Sequence, residues 1–263
     1  MDYIMKKYVF TAGLPRAGTT LLGTILKQNP RFDASISGPL ARFTRAIIQE
    51  TASQGGYRFE CPPHKVKKLI NGLFENYYDD NSKEVCFNHN RGWPLLFPTI
   101  QDLYPNSKMI LCVRDINWVL DSFETLQRKN HYGSSSIFSK EENTNVYSRC
   151  TTLLDSNRTL GFAYAAVKQA ITSDFKKDIM IIEYDNLAKN PELILKSIYK
   201  FIDEPFYQHD FKNVEASYDE FDDEVQLPGL HTTRKEVSLI KRDTIIPPDI
   251  QQMVNENFPS VWK

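Results

Sequence analysis

A glycine-containing loop between a predicted strand and a predicted helix constrains the fold of this chain more than any other feature. The loop runs from Gly13 to Thr20 and reads Gly-Leu-Pro-Arg-Ala-Gly-Thr-Thr. The short apolar run Tyr8–Ala12 before it is typical of a buried strand, and Thr19–Gln28 after it has its apolar residues on one helical face. In a loop of this kind, the backbone N–H groups and the N-terminus of the following helix together form a site that binds an anion. The sequence therefore predicts an α/β protein that binds phosphate or a similar group.

Further strands and helices alternate along the chain, as they do in parallel sheets. The apolar runs Lys108–Val113 and Asp178–Glu183 are typical of strands buried on both faces, and Val85–Phe87 is a weaker prediction of a strand. The remaining patterns predict helices at Pro39–Ser53, Pro63–Tyr78, Ile116–Gln127 and Pro191–Ile202, a long helical stretch from Val146 to about Asp174, and a surface loop at Asp219–Glu224. We expect a three-layer α/β fold with a parallel sheet between helices, forming a single domain over residues 1–263.

The composition argues against some classes of partner. The formal charge is 32 − 33 = −1, so no overall field attracts nucleic acid or a membrane surface. No run reaches the ~18 apolar residues that span a bilayer, and the N-terminal apolar run is too short for a signal peptide. The four cysteines lack metal-binding spacing, and no metal is expected. We expect a cytoplasmic protein without a nucleic-acid or membrane partner.

The basic residue of the loop is not where a kinase has it. Kinase loops place Lys directly after the second glycine and use Mg²⁺ to offset the charge of a terminal phosphate. Here Thr19 holds that position, and the basic group is Arg16, inside the loop. A sulfuryl group has fewer negative oxygens, so one guanidinium and backbone donors suffice for it. A P-loop nucleotide or small-molecule kinase and a non-catalytic nucleotide-binding module are the alternatives.

The sequence Pro-Arg-x-Gly-Thr-Thr after a strand resembles the 5′-phosphosulfate loop of sulfotransferases that use 3′-phosphoadenosine 5′-phosphosulfate (PAPS). Its form is closest to that of tyrosylprotein and carbohydrate sulfotransferases. The resemblance implies a metal-independent transfer of sulfuryl to a hydroxyl or amine, with release of 3′,5′-ADP (PAP). It also implies that Arg16 stabilises charge on the bridging oxygen. The residues that would bind the 5′-phosphate and sulfuryl group are Arg16, Ala17, Gly18, Thr19 and Thr20.

A second anion site is predicted where the strand Lys108–Val113 ends. Arg114 follows that strand, and Ser122 lies eight residues later, in the next predicted helix. Ligands of parallel α/β sheets bind at the carboxyl ends of the strands. The Arg and Ser pair is similar to the 3′-phosphate motif of the same family. The alternative is a strand end with a surface arginine.

Two further contacts with the nucleotide follow from the resemblance alone. Tyr184, after the third long strand, would lie beside the adenine, or else it covers the hydrophobic core. Arg234 and Lys235 would close the nucleotide site from the C-terminal side, or else they belong to a solvated charged surface.

His89 is the predicted general base that takes the proton of the acceptor hydroxyl. Cytosolic-type sulfotransferases have a catalytic His before the 3′-phosphate strand, and His89 precedes Arg114 by 25 residues. Tyrosylprotein members instead use a Glu after the first helix. The corresponding segment Ala34–Gly38 has no carboxylate, which weakens an assignment to tyrosine sulfation. Asp33 and Glu50 are fallback bases.

The acceptor is predicted to be a hydroxyl-bearing carbohydrate, small molecule or peptide. Its selection is expected to depend on the segments Ser35–Tyr57 and Asn130–Tyr147, because loops of this kind carry specificity.

Overall fold

A computed structural model describes residues 6–52, 57–130, 135–240 and 242–263. Two short parts of the predicted acceptor segments, residues 53–56 and 131–134, lie outside the described residues, as does Ser53 at the end of a predicted helix.

The centre of the fold is a five-stranded parallel sheet with the strand order β2-β3-β1-β4-β5. The strands are β1 (Lys7–Gly13), β2 (Phe32–Ala34), β3 (Val85–His89), β4 (Lys108–Val113) and β5 (Ile179–Glu183). The chain fills the sheet on one side of β1 and then on the other. This arrangement opens a crevice at the carboxyl ends of the central strands.

Helices connect and cover the strands, as a parallel sheet requires. They are α1 (Thr19–Leu26), α2 (Leu40–Ala52), α3 (Tyr57–Glu60), α4 (Pro63–Tyr77), α5 (Trp93–Leu103), α6 (Ile116–Lys129), α7 (Val146–Leu154), α8 (Thr159–Ile171), α9 (Tyr184–Lys189), α10 (Pro191–Phe201), α11 (Asp219–Glu224) and α12 (Pro248–Asn257). The predicted α/β fold with a parallel sheet between helices is confirmed.

The hydrophobic core lies on both faces of the sheet. Residues Met109 to Val113 of β4 have no exposed surface, which accounts for the continuous apolar run in the sequence. Aromatic rings extend the core on one face: Phe10 packs edge-on against Trp93 at a centroid distance of 4.7 Å. None of the helices in the described ranges is long and apolar enough to cross a membrane.

Two predictions from the sequence are wrong. The stretch from Val146 to Asp174 is not one helix but two, α7 and α8. The break comes at Asp155, whose Oδ1 accepts the N–H of Asn157 at 2.9 Å; a short polar side chain that bonds the backbone in this way competes with the helix.

The acidic stretch Asp219–Glu224 is helix α11, not a loop. Its residue Asp222 is only 1% exposed, so one acidic side chain of this charged segment points inward. The strand β2 and the helices α3, α9 and α12 were not predicted. β2 has three residues, α3 has four and α9 has six, and a hydrophobic period does not show over such lengths.

Candidate active site

The predicted site residues meet at one edge of the sheet. His89 is the last residue of β3, the glycine loop follows β1, Arg114 follows β4, and Tyr184 follows β5. These four strands are consecutive neighbours in the sheet. Residues as far apart in sequence as the loop and Tyr184 are therefore brought side by side.

The loop between β1 and α1 depends on its two glycines. Gly13 has a φ of 133°, and a Cβ built there would lie 2.0 Å from the carbonyl oxygen of Cys112 in β4. Gly18 caps helix α1 with a φ of 88°, and a Cβ there would lie 2.7 Å from Cδ2 of Tyr184. The first glycine lets β1 and β4 approach each other, and the second lets the loop pack against Tyr184.

Arg16 adopts a left-handed backbone conformation, with a φ of 59°, and its side chain reaches α6 and the segment after α11. Its Nε donates to Oγ of Ser122 at 3.0 Å, and its Nη1 donates to the carbonyl of Leu230. Burial, and next the charge of Arg114, lower the pKa of Arg16 to about 10. Arg16 therefore joins the glycine loop to Ser122 of the predicted 3′-phosphate site.

Arg114 lies over the ring of Tyr184, with its guanidinium carbon 4.3 Å from the ring centroid. Burial lowers the pKa of Arg114 as well. Its Nε is buried and has no hydrogen-bond partner among the residues that the structure describes. A buried donor on a charged group costs free energy when it has no partner, and a ligand that accepts a hydrogen bond would offset this cost.

One cavity of about 1210 Å³ connects these groups. The predicted residues on its wall are Arg16, Gly18, Thr19, Thr20, His89, Arg114, Ser122, Tyr184 and Arg234. Ala17 is completely buried in the core behind the loop, and Lys235 does not line the cavity. Of the predicted C-terminal basic pair, only Arg234 therefore faces the site.

His89 is held at the cavity wall by its strand. Its backbone N–H donates to Oγ of Ser35 at 2.8 Å, and its Nδ1 lies 3.4 Å from Oγ1 of Thr11. The preceding Asn88 is buried and bonds both Tyr78 and Trp93, which fixes the end of β3. Burial, and next the charge of Arg91, lower the pKa of His89 to about 3.

The two fallback bases lie elsewhere. Asp33 is in β2, where its Oδ2 accepts from Nδ2 of Asn81 at 2.9 Å, and Glu50 is exposed on α2; neither lines the cavity. In the described ranges, no group of three or more His, Cys, Asp and Glu residues is arranged to hold a metal ion.

The sequence did not indicate a second histidine at the site. His231 lines the cavity, its Nδ1 lies 2.6 Å from Oδ1 of Asp222, and its backbone N–H donates to Oδ2 of the same residue at 3.0 Å. Burial lowers the pKa of His231, while the charge and hydrogen bond of Asp222 oppose this shift. No local motif reveals the pair, because Asp222 belongs to α11 and His231 to the segment after it.

The fold and the site together define a class of protein. It is an α/β protein of the P-loop type with an arginine-lined cavity at the carboxyl ends of its strands. The chain belongs to the sulfotransferase domain family, whose sequence profile matches residues 6–227. The family resemblance drawn from the loop is thereby confirmed, and nothing favours the kinase alternative.

The relatives agree with this family. A putative protein-tyrosine sulfotransferase of Caenorhabditis briggsae is 30% identical over 138 residues, which cover 47% of this chain and 44% of that protein. This chain therefore matches less than half the length of that relative.

Solved structures of sulfotransferases share the fold. The sulfotransferase domain of the curacin biosynthetic pathway matches with a TM-score of 0.58 and 14% identity, over 95% of this chain and 97% of that one. A sulfotransferase of Alicyclobacillus acidocaldarius matches with a TM-score of 0.52 and 14% identity, over 95% and 90%. A retinol dehydratase in complex with retinol and PAP matches with a TM-score of 0.50 and 15% identity, over 95% and 79%.

Proposed function

We propose that this chain is a single-domain sulfotransferase that transfers the sulfuryl group of PAPS to an acceptor hydroxyl and releases 3′,5′-ADP. The observation that carries the proposal is the pair of desolvated guanidinium groups, Arg16 and Arg114, at one cavity. Each of them is destabilised by burial, and the charge of Arg114 further lowers the pKa of Arg16. An anion with several charged groups, bound between them, would offset both costs.

The residues present fit PAPS. The loop from Gly13 to Thr20 offers backbone donors to the 5′-phosphosulfate. The Nε of Arg114, which has no partner among the described residues, suits the 3′-phosphate, and the Ser122 hydroxyl lines the same cavity. Arg234, whose charge reaches Arg16, would add a further cation at the open side. The retinol dehydratase that shares this fold was solved in complex with PAP, which supports the same choice of nucleotide.

Bound PAPS supplies an activated sulfuryl group on the 5′-phosphate. In our proposal Arg16 stabilises the negative charge that develops on that phosphate when the acceptor takes the sulfuryl group. His89 lies at the wall of the same cavity and would hydrogen-bond the acceptor hydroxyl. Its lowered pKa keeps the ring neutral at physiological pH, so that it can accept this hydrogen bond.

The acceptor end of the cavity is rich in arginine. Arg42 and Arg45 lie one turn apart on α2, and Arg91 lies two residues after His89. Burial lowers the pKa of Arg91, and among the described residues no carboxylate pairs with it. Glu236 is the single acidic residue of the described cavity wall. We therefore propose that the acceptor carries an anionic group in addition to its hydroxyl.

Reversing one of these charges is expected to weaken acceptor binding. Arg45→Glu should raise the KM for an anionic acceptor by roughly tenfold, which is about 1.4 kcal/mol, and leave kcat nearly unchanged, because Arg45 is exposed and lies on α2 rather than on the loop. The acceptor would come from a screen of phenols, carbohydrates and peptides with labelled PAPS. Lys68→Glu on the exposed face of α4, away from the cavity, makes the same charge change as a control. Equal KM values for both variants would contradict an anionic acceptor.

The proposed donor predicts which ligands stabilise the fold. Thermal denaturation with 3′,5′-ADP at a hundredfold its Kd should show about 2.7 kcal/mol of added stability, because the ligand binds only the folded state. ATP with or without Mg²⁺ should stabilise much less, because it lacks a 3′-phosphate for Arg114. Stabilisation by Mg-ATP and not by 3′,5′-ADP would contradict the proposed function and favour a kinase.

The cytoplasmic location predicted from the sequence remains part of this proposal. All four cysteines are free, and Cys86, Cys112 and Cys150 are buried as thiols, which suits a reducing compartment.

A further inference from the structure

The segment after α11 carries a histidine whose orientation is fixed on two sides. Both oxygens of Asp222 bind His231: Oδ1 lies 2.6 Å from Nδ1, and Oδ2 accepts the backbone N–H at 3.0 Å. The ring of Phe221 packs edge-on against the imidazole, with centroids 4.8 Å apart. The side chain of Asp222 is 1% exposed and that of His231 is 15% exposed. The ring is thus held in place on its Nδ1 side, and His231 lines the cavity.

This contact determines which ring nitrogen is free. A buried carboxylate is an acceptor only, so Nδ1 of His231 carries the proton that is donated to Asp222. In the neutral ring Nε2 then has an unshared electron pair. A carboxylate that holds one nitrogen of an imidazole both selects this tautomer and stabilises the imidazolium ion formed when Nε2 takes a proton.

His89 lacks such support. Its Nδ1 contacts the hydroxyl of Thr11, and the backbone of Thr11 favours the protonated ring, but Arg91 and a protonated His231 both disfavour a positive charge on it. A proton placed on His89 would have no counter-charge from the described residues around it. A proton placed on His231 would be opposed by Arg16 and Arg91 but balanced by Asp222 at hydrogen-bond distance.

The same segment also reaches the donor loop. The residue before His231, Leu230, accepts a hydrogen bond from Arg16 through its carbonyl. The segment is also held to the residues before α11, because Thr233 and Ala216 exchange hydrogen bonds. Binding at Arg16 and the position of the His231 ring are therefore mechanically linked through one peptide unit.

We propose that His231, positioned by Asp222, is the group that takes the proton of the acceptor hydroxyl, while His89 hydrogen-bonds the same hydroxyl. The inference rests on the proposed function. The acceptor oxygen forms a bond to sulfur, and its proton goes to Nε2 of His231. The bond between sulfur and the oxygen of the 5′-phosphate breaks, and its electron pair stays on that oxygen. The imidazolium then returns its proton to solvent.

The protonation state of the ring can be tested without any acceptor. In protein labelled with ¹⁵N-histidine, the neutral His231 ring should show a protonated Nδ1 and an unprotonated Nε2, with the signal assigned by its loss in His231→Gln. Asp222→Asn should disturb this tautomer, because the amide no longer offers only acceptor atoms on that side. A protonated Nε2 in the wild-type ring would overturn the inference, whatever the enzymatic activity.

Turnover supplies the second test. His231→Gln should lower kcat by roughly a hundredfold or more while changing the Kd for 3′,5′-ADP by less than about threefold, because general-base catalysis contributes on this scale. Added imidazole should restore part of the rate in His231→Ala. The matched control, His64→Gln, changes an exposed histidine of α4 outside the cavity and should keep the wild-type rate.

The pH dependence of kcat shows whether Asp222 positions His231 for proton transfer or only stabilises the fold. Burial is the main cause that lowers the pKa of His231; Asp222 raises this pKa, and the charges of Arg16 and Arg91 lower it further. His89, the other histidine of the cavity wall, is neutral. The rate falls at acidic pH when His231 becomes protonated. Asp222→Asn removes the raising charge, so this fall should shift to lower pH, together with a loss of roughly tenfold or more in kcat.

The results of these tests distinguish a failure of the proposed function from a failure of the inference about His231. Wild-type protein that transfers no label to any acceptor contradicts the proposed function, while the tautomer still decides the inference. Wild-type activity combined with a His231→Gln variant of unchanged rate and pH profile overturns the inference alone. In that case the loss of turnover in His89→Gln would assign the proton to His89.

Discussion

Arg114→Ala is expected to weaken the binding of 3′,5′-ADP by about 2–5 kcal/mol, and that of 5′-AMP by much less. The guanidinium is desolvated and its Nε has no partner among the described residues, so the 3′-phosphate would be its main counter-charge. At ~1.4 kcal/mol per factor of ten, this corresponds to a loss of roughly 30-fold to several thousand-fold in affinity. The nucleotide 5′-AMP lacks the 3′-phosphate and cannot use this contact.

Titration calorimetry with both nucleotides measures the difference directly. A small loss shared by both is expected, because Arg114 also stacks on Tyr184, 4.3 Å from the ring centroid, and helps to hold that ring. Arg114→Lys should lie between wild type and Arg114→Ala, since it keeps the charge but loses the planar fork of donors. Arg42→Ala, at the acceptor end, should leave both nucleotide affinities nearly unchanged. Losses of equal size for the two nucleotides would show that Arg114 does not bind the 3′-phosphate.

Gly13→Ala is expected to prevent folding or to cost more than about 4 kcal/mol of stability. A Cβ at this position would lie 2.0 Å from the carbonyl oxygen of Cys112, on the backbone of the neighbouring strand, where no side-chain movement relieves the clash. The φ of 133° is also one that alanine rarely adopts. Since a typical domain is stable by only ~5–15 kcal/mol, little folded protein should accumulate.

Gly23→Ala provides a matched control ten residues away. This glycine lies inside α1, and an added Cβ would meet only Cβ of Ala34 and the carbonyl oxygen of Ser35, both at 3.9 Å. Alanine is the better helix former, so this variant should be as stable as the wild type or more stable, by up to about 1 kcal/mol. Urea denaturation of both variants compares them. A Gly13→Ala variant as stable as Gly23→Ala would contradict the close approach of β1 and β4.

The donor half of the site could be predicted from the sequence because its determinants are local. The loop Gly13–Thr20 contains its own glycines, its basic residue and the start of its helix. Strand β4 is predicted by an unbroken apolar run that ends just before Arg114. Parallel strands point their carboxyl ends to one side of the sheet, and Arg114, Tyr184 and His89 each lie at such a strand end.

The detailed contacts of the cavity wall could not be predicted in the same way. Asp222 seemed part of an acidic surface segment, yet the fold buries it against His231. Of Arg234 and Lys235, adjacent and equal in charge, only the first faces the cavity. The turn of Arg16 toward Ser122 depends on a contact with Leu230, more than two hundred residues later in the chain. None of these facts follows from local spacing, because each depends on which face a segment presents after packing.

The sequence by itself determined the parallel α/β fold and the places of the glycine loop and of Arg114 after its strands. These features depend on residue patterns within a few turns of one helix or one strand, where backbone geometry leaves few choices. The tertiary structure alone decided which histidine has a carboxylate partner, which arginines lie desolvated in the cavity, and which residues form the wall opposite the loop. Such properties depend on burial and on contacts between distant segments, and these contacts form only when the helices pack against the sheet.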